Sequence, residues 1–158
     1  MFNGKSVLVT GAASGIGLAT TRHLAAHGAS VLAVDRNGPA LAAADLGGES
    51  RRIEGDVASP EFWQSLALGR LDHAVVNAGV PGVAPITEMS FDEWRRVISV
   101  NLDGAFLTLQ AALRAMQDGG SIVCVASAAG LKAEQGIGAY AASKAGLIQL
   151  ARVAAKES

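Results

Sequence analysis

The stretch Val7-Leu8-Val9-Thr10-Gly11-Ala12-Ala13-Ser14-Gly15-Ile16-Gly17 constrains this chain more than any other. Val7, Leu8 and Val9 form an uninterrupted apolar run, the pattern of a strand covered on both faces of a parallel sheet. Glycines follow, and from Gly15 a helical pattern begins, with Ile16, Ala19, Leu24 and Ala25 on its apolar stripe. A strand, a glycine turn and a helix start form an anion cradle. The first-turn N–H groups have no partner inside the helix, and the helix dipole adds partial positive charge there. Glycines let a pyrophosphate approach backbone that a Cβ would shield. Gly11, Gly15 and Gly17 read G-x-x-x-G-x-G, which differs from G-x-G-x-x-G. No Lys-Ser or Lys-Thr follows the last glycine, so this is not a nucleoside-triphosphate loop. Taken alone, the same glycines also suit a plain strand-to-helix turn.

The rest of the chain alternates strand and helix. Strands are expected over 6–10, 30–35, 51–55, 73–77 and 121–127. The third is the most polar and so a sheet edge. Helices are expected over 15–27, from the Asn37-Gly38-Pro39 turn to 46, from Ser59-Pro60 to 68, over 91–117, and from 138 to near the end. Gly28 is placed to end the first helix. Ser90 and Glu93 have the spacing of a capping box, and Asp118-Gly119-Gly120 closes the long helix. Right-handed crossovers convert this order into an α/β, doubly wound parallel sheet, Rossmann-like, with strand order 3-2-1-4-5. All 158 residues are expected to form one dinucleotide-binding domain. Ligands of such sheets bind beyond the carboxyl ends of the strands, where the order reverses. Thr10, Asp35, Asp56, Asn77 and Ser127 all fall at strand ends.

Composition narrows the function classes. The net charge is −1 and no basic block occurs, which argues against nucleic acid and anionic membrane surfaces as partners. No apolar run approaches membrane-spanning length, and the N-terminus leads directly into the first strand, leaving no room for a signal peptide. The single cysteine, Cys124, excludes an internal disulfide and fits a reducing, cytoplasmic setting. It lies in an apolar strand and reads as a buried, inert thiol. His23, His27 and His73 are scattered, and no metal site is expected.

Several residues are suited to chemistry at the strand ends. Asp35 lies 20 residues after Gly15, where a carboxylate accepts hydrogen bonds from an adenine nucleotide's ribose hydroxyls and repels a 2′-phosphate. NAD is therefore favoured over NADP. Arg36 beside it is the counter-argument, since a guanidinium tolerates phosphate. Asp56 and Val57 either flank the adenine ring, or Asp56 caps the following turn. Asn77, Ala78 and Gly79 bring small residues to the crevice, or form an ordinary turn.

Tyr140 and Lys144 stand at i and i+4, on one helix face. An ammonium and a nicotinamide cation nearby both favour a phenolate. A tyrosine so placed donates a proton to a carbonyl or takes one from an alcohol, and the lysine is also able to hold the nicotinamide ribose. Taken alone, such a spacing more often describes a surface Tyr–Lys pair. Ser127 is positioned to hydrogen-bond the substrate oxygen or to serve a turn. Asn101, inside a helix that gains nothing from asparagine, either binds a water linking Lys144 to solvent or is a solvated or back-bonded side chain.

Together, Thr10-Gly-Ala-Ala-Ser-Gly-Ile-Gly17, Asp35, Asp56-Val57, Asn77-Ala78-Gly79, Asn101, Ser127 and Tyr140-Ala-Ala-Ser-Lys144 resemble the short-chain dehydrogenase/reductase family, in the correct order along the whole chain. The resemblance implies an NAD(P)-dependent oxidoreductase moving a hydride between nicotinamide and a carbonyl or secondary alcohol. It makes Asn101, Ser127, Tyr140 and Lys144 the catalytic set, with Tyr140 as general acid/base. Cofactor contacts are then expected from Gly11, Ser14, Gly15, Ile16, Gly17, Asp35, Arg36, Asp56, Val57, Asn77, Ala78, Gly79, Tyr140 and Lys144.

The sequence departs from the family at its C-terminal end. Family members usually continue beyond a position equivalent to Ser158 with further strands and a substrate-binding segment, so the chain resembles a C-terminally truncated member. The last strand is then an apolar edge, and the substrate pocket lacks a wall. The final helix is apolar nearly all round, and helices 91–117 and 138–157 are candidates for a homodimer or homotetramer contact. A small alcohol or ketone is the expected substrate. The alternatives are a dinucleotide-binding fragment that does not turn over, and an interaction module.

Overall fold

The computed structural model describes residues 2–117 and 119–158; Met1 and Asp118 lie outside the described residues. Five parallel strands, β1 (Ser6–Thr10), β2 (Ser30–Asp35), β3 (Ser50–Glu54), β4 (His73–Val76) and β5 (Ser121–Cys124), form one sheet in the order β3-β2-β1-β4-β5. The register pairs Val7 with both Val31 and His73, which centres β1. The expected doubly wound order is the observed one, with the reversal between β1 and β4.

Alternation along β1 explains its continuous apolar run. Val7 and Val9 face one core with Leu24, Ala25, Val31, Ala33, Leu41 and Leu46. Leu8 faces a second core with Leu32, Val34, Ile53, Leu71, Ala74 and Val100. Helices α1 (Gly15–Ala26) and α2 (Gly38–Ala43) cover the first face. Helices α3 (Pro60–Ser65), α4 (Phe91–Ile98), α5 (Gly104–Ala115) and α6 (Gly138–Glu157) gather on the other. Fully burying one such leucine contributes about 1.5–3 kcal/mol. Both faces of the sheet therefore demand apolar side chains.

Several expected boundaries move for identifiable reasons. The apolar stripe of α1 is not Ile16 and Ala19: its buried positions are Gly17, Thr21, Leu24 and Ala25, and Ile16 is 62% exposed. Gly17 faces inward because a Cβ there would fall on the Gly11 carbonyl oxygen. Helix α2 stops at Ala43 because Ala44 is extended, and α3 stops at Ser65 because Leu66 is extended. Gly28, with φ +88°, closes α1 by donating to the Ala25 carbonyl. Strand β5 ends at Cys124, although Val125 N still donates to the Val76 carbonyl at 2.9 Å.

The expected single helix over 91–117 is three pieces. Between α4 and α5 lies a π-helical turn, Ser99–Asp103, and α5 ends at Ala115, where Met116 turns extended. Just after it, Gly104 and Val57 approach closely, and a Cβ on Gly104 would sit 2.8 Å from Val57 Cγ2. Only half of the capping box forms. Ser90 Oγ accepts from Glu93 N at 3.1 Å, but the Glu93 carboxylate turns to Arg96 instead. Helix α6 is buried through Ala139, Ser143, Lys144, Leu147 and Ala154, while Ala142, Ala145, Gln149 and Val153 are exposed, so it is not covered all round. Among the described residues no helix is long and apolar enough to cross a membrane.

Candidate active site

A groove of ≈ 410 Å³ runs across the carboxyl ends of β1, β2 and β4, where the strand order reverses. Its wall includes Gly11, Ser14, Gly15, Ile16, Asp35, Arg36, Asp56, Val57, Asn77, Ala78 and Gly79, all singled out in the sequence. Ala13, Asn37, Gly55, Val80 and Val100 also line it, and the sequence reading missed them. All but Asn37 are small or apolar residues next to motif positions, so their only signal was adjacency. Gly17 is not in the wall. It supports the cradle from behind, packed against Gly11 and Asn77.

The cradle fits an anionic group. Gly11 and Gly15 have φ of +68° and +51°, a region that favours glycine. Nothing lies within 4 Å of where a Gly15 Cβ would stand, so the space before the helix is open. Ser14, at the N-cap of α1, makes no side-chain capping bond, which leaves the first-turn N–H groups without a side-chain acceptor. The exposed Ile16 beside them is apolar surface that a bound nucleotide would cover. The residues present thus suit a dinucleotide.

Thr10 and Asn77 lock the floor of the groove. Thr10 is fully buried, and its Oγ1 accepts from Asn77 N at 3.0 Å and Ala78 N at 3.2 Å. Asn77 Nδ2 donates back to the Thr10 carbonyl at 2.9 Å. Asn77 therefore serves as a cross-strand clamp. Asp35 Oδ2 accepts from Ala13 N at 2.9 Å and its Oδ1 from Asn37 N at 2.9 Å, so the carboxylate ties the glycine loop to the end of β2. Asp56 Oδ1 accepts from Ala58 N at 2.9 Å, which is the turn role weighed for it, while the residue still lines the groove. Arg36 is exposed at the same wall.

Two of the residues expected to be catalytic, Asn101 and Lys144, meet at the other side of Gly79. Lys144 is only 4% exposed, and its Nζ donates to the Val125 carbonyl at 2.8 Å. Burial pushes its ammonium below the ordinary lysine range. Nζ lies 3.5 Å from where a Gly79 Cβ would stand and 5.8 Å from the Tyr140 ring centroid. Ser127 Oγ accepts from Ala129 N at 3.2 Å and so starts a short 3-10 turn, Ala128–Gly130. Its hydroxyl hydrogen remains available to donate.

Asn101 is fully buried in the π turn. Its Oδ1 accepts from Val80 N at 2.7 Å, and its Nδ2 donates to the Val80 carbonyl at 3.0 Å and to Ser143 Oγ at 3.2 Å. Asn101 is therefore not a solvated side chain: it bonds Val80 and Ser143. Cys124 is half-buried rather than buried. Desolvation raises its thiol above the usual range, against the opposing pull of Lys144.

Comparison with known proteins places these features in a family. A family model described as short chain dehydrogenase matches residues 5–158. D-threitol dehydrogenase of Mycolicibacterium smegmatis is 41% identical over 98% of this chain and 65% of its own length. Short-chain dehydrogenase/reductase ABA4 of Pyricularia oryzae is 40% identical over 98% of this chain and 64% of its own length. A solved structure of NAD+-bound xylitol dehydrogenase superposes with a TM-score of 0.92 at 39% identity, covering 99% of this chain and 65% of that one. The chain thus spans about two thirds of the length of these relatives.

Proposed function

The chain belongs to the short-chain dehydrogenase/reductase family, and from that premise we propose that it serves an NAD(H)-dependent oxidoreductase acting on a small carbonyl or secondary alcohol. The observation that carries this reading is the position of Gly79, which lines the groove on one side and meets Lys144 Nζ on the other. Relatives named as dehydrogenases, one of them solved with NAD+ bound, support it. When bound, the nicotinamide supplies or accepts the hydride.

This chain's own residues hold the cofactor and move the proton. Backbone N–H groups at the start of α1 would hold the pyrophosphate, Asp35 the adenosine ribose and Val57 the adenine. Asp35 makes NAD the preferred form over NADP. Tyr140 Oη gives its proton to the carbonyl oxygen in reduction and takes one from the alcohol in oxidation. Ser127 Oγ donates to that same oxygen as charge develops on it. The Lys144 ammonium stabilises negative charge on Tyr140, and Asn101 fixes Val80 against the groove. The same reading takes a cytoplasmic homodimer or homotetramer joined through helices α4–α5 and α6.

NADH fluorescence titration, followed by turnover over a panel of ketones and secondary alcohols, tests the proposal. Tyr140→Phe is expected to lower turnover by roughly 10²–10⁴-fold. Its NADH affinity should stay within about twofold of wild type. Equal activity in that variant would remove Tyr140 as the acid/base.

A further inference from the structure

We propose that Arg96 is a positioning residue for the groove: from α4 it pins segment 80–82, and through Val80 it sets the β4 side of the cofactor site. The proposal rests on the groove being a dinucleotide site. Arg96 Nη2 donates to the Pro81 carbonyl at 2.6 Å. The Glu93 carboxylate holds the guanidinium in place, accepting from Nε at 2.7 Å and from Nη2 at 2.8 Å. A bidentate pair of this kind fixes the plane of the fork and not merely its charge.

The surroundings make that bond count. Pro81 has no N–H, so its carbonyl is the one backbone hydrogen-bonding group it offers. Val97, next to Arg96, packs so closely on Gly82 that a Cβ there would stand 2.5 Å from Val97 Cγ2. One turn further, Asn101 grips both backbone groups of Val80. Glu93, Arg96, Val97 and Asn101, on successive turns, thus close on Val80, Pro81 and Gly82. Val80 lines the groove and Arg96 does not, so Arg96 acts on the site only through the segment it holds.

Titration of wild type, Arg96→Gln, Arg96→Lys and Glu93→Gln with NADH and with AMP tests this, since AMP lacks the nicotinamide half. For Arg96→Gln the NADH Kd should rise about threefold to tenfold. Its AMP Kd should stay within about twofold of wild type. Arg96→Lys, which keeps one donor, should recover part of the loss. Glu93→Gln, which frees the fork, should shift NADH binding in the same direction by less, and it keeps the test alive should Arg96→Gln not fold. Hydrogen exchange over 79–84 should quicken in Arg96→Gln while β1 stays protected. If wild type binds both ligands and the Arg96 variants bind NADH unchanged, with unchanged exchange over 79–84, the role of Arg96 is overturned alone. A wild type that binds neither ligand overturns the dinucleotide reading and this proposal with it.

Discussion

Lys144 Nζ lies 5.8 Å from the centre of the Tyr140 ring while donating to the Val125 carbonyl at 2.8 Å. One buried ammonium therefore serves both the end of β5 and the face of α6 that carries the phenol. Burial lowers its pKa below that of an unfolded lysine. In the window between the lowered folded pKa and the unfolded value near ~10.4, the unfolded chain binds more protons, so stability rises with pH there.

Replacing Lys144 by Met removes that dependence. The melting temperature of wild type relative to Lys144→Met should increase between neutral pH and about pH 10, because the wild-type lysine sheds a charge that burial disfavours. Calorimetry at the two pH values checks this. A difference that stays constant, or shrinks as pH rises, contradicts it. Turnover should be lost in the variant at both.

Asp35 should control which nicotinamide cofactor binds. Its carboxylate faces the groove beside the exposed Arg36, and removing the negative charge leaves the guanidinium to meet a 2′-phosphate. Asp35→Ser is expected to shift the ratio of NADPH to NADH affinity at least about tenfold toward NADPH. A single hydroxyl does not replace the two carboxylate oxygens that accept from Ala13 N and Asn37 N, so stability should also fall by about 1–3 kcal/mol. Parallel titrations with the two cofactors and urea unfolding read the two effects.

Asn77 should prove structural before it proves functional. Asn77→Ala leaves the Thr10 carbonyl without its side-chain donor, and a loss of about 1–3 kcal/mol is expected in denaturant unfolding. Asn77→Asp should be worse, because a carboxylate oxygen would then face the carbonyl oxygens of Thr10 and Gly11. An aspartate variant as stable as wild type would show that the clamp contributes little.

Much of this molecule is legible in its sequence. Alternating apolar runs and helical repeats predict the sequence of elements, and the handedness of crossovers predicts the order β3-β2-β1-β4-β5. The groove then falls where the strand order reverses, and eleven motif residues expected at the cofactor line it. Gly17, one of the glycines expected to touch a cofactor, lies outside the groove wall and is packed against Gly11. Its neighbour Ile16, read as part of the core stripe, stands exposed at the cradle.

The sequence by itself determined which segments pair and where a ligand approaches, because periodicity and glycine geometry are local properties of the chain. Only the tertiary structure decided what the polar side chains do. The Asn77 amide reaches the Thr10 carbonyl across 67 positions, Asn101 reaches Val80 across 21, and Arg96 reaches Pro81 across 15. A side-chain amide or guanidinium bonds whichever backbone group the packed helices bring within about 3 Å, and that meeting has no signature in residue spacing.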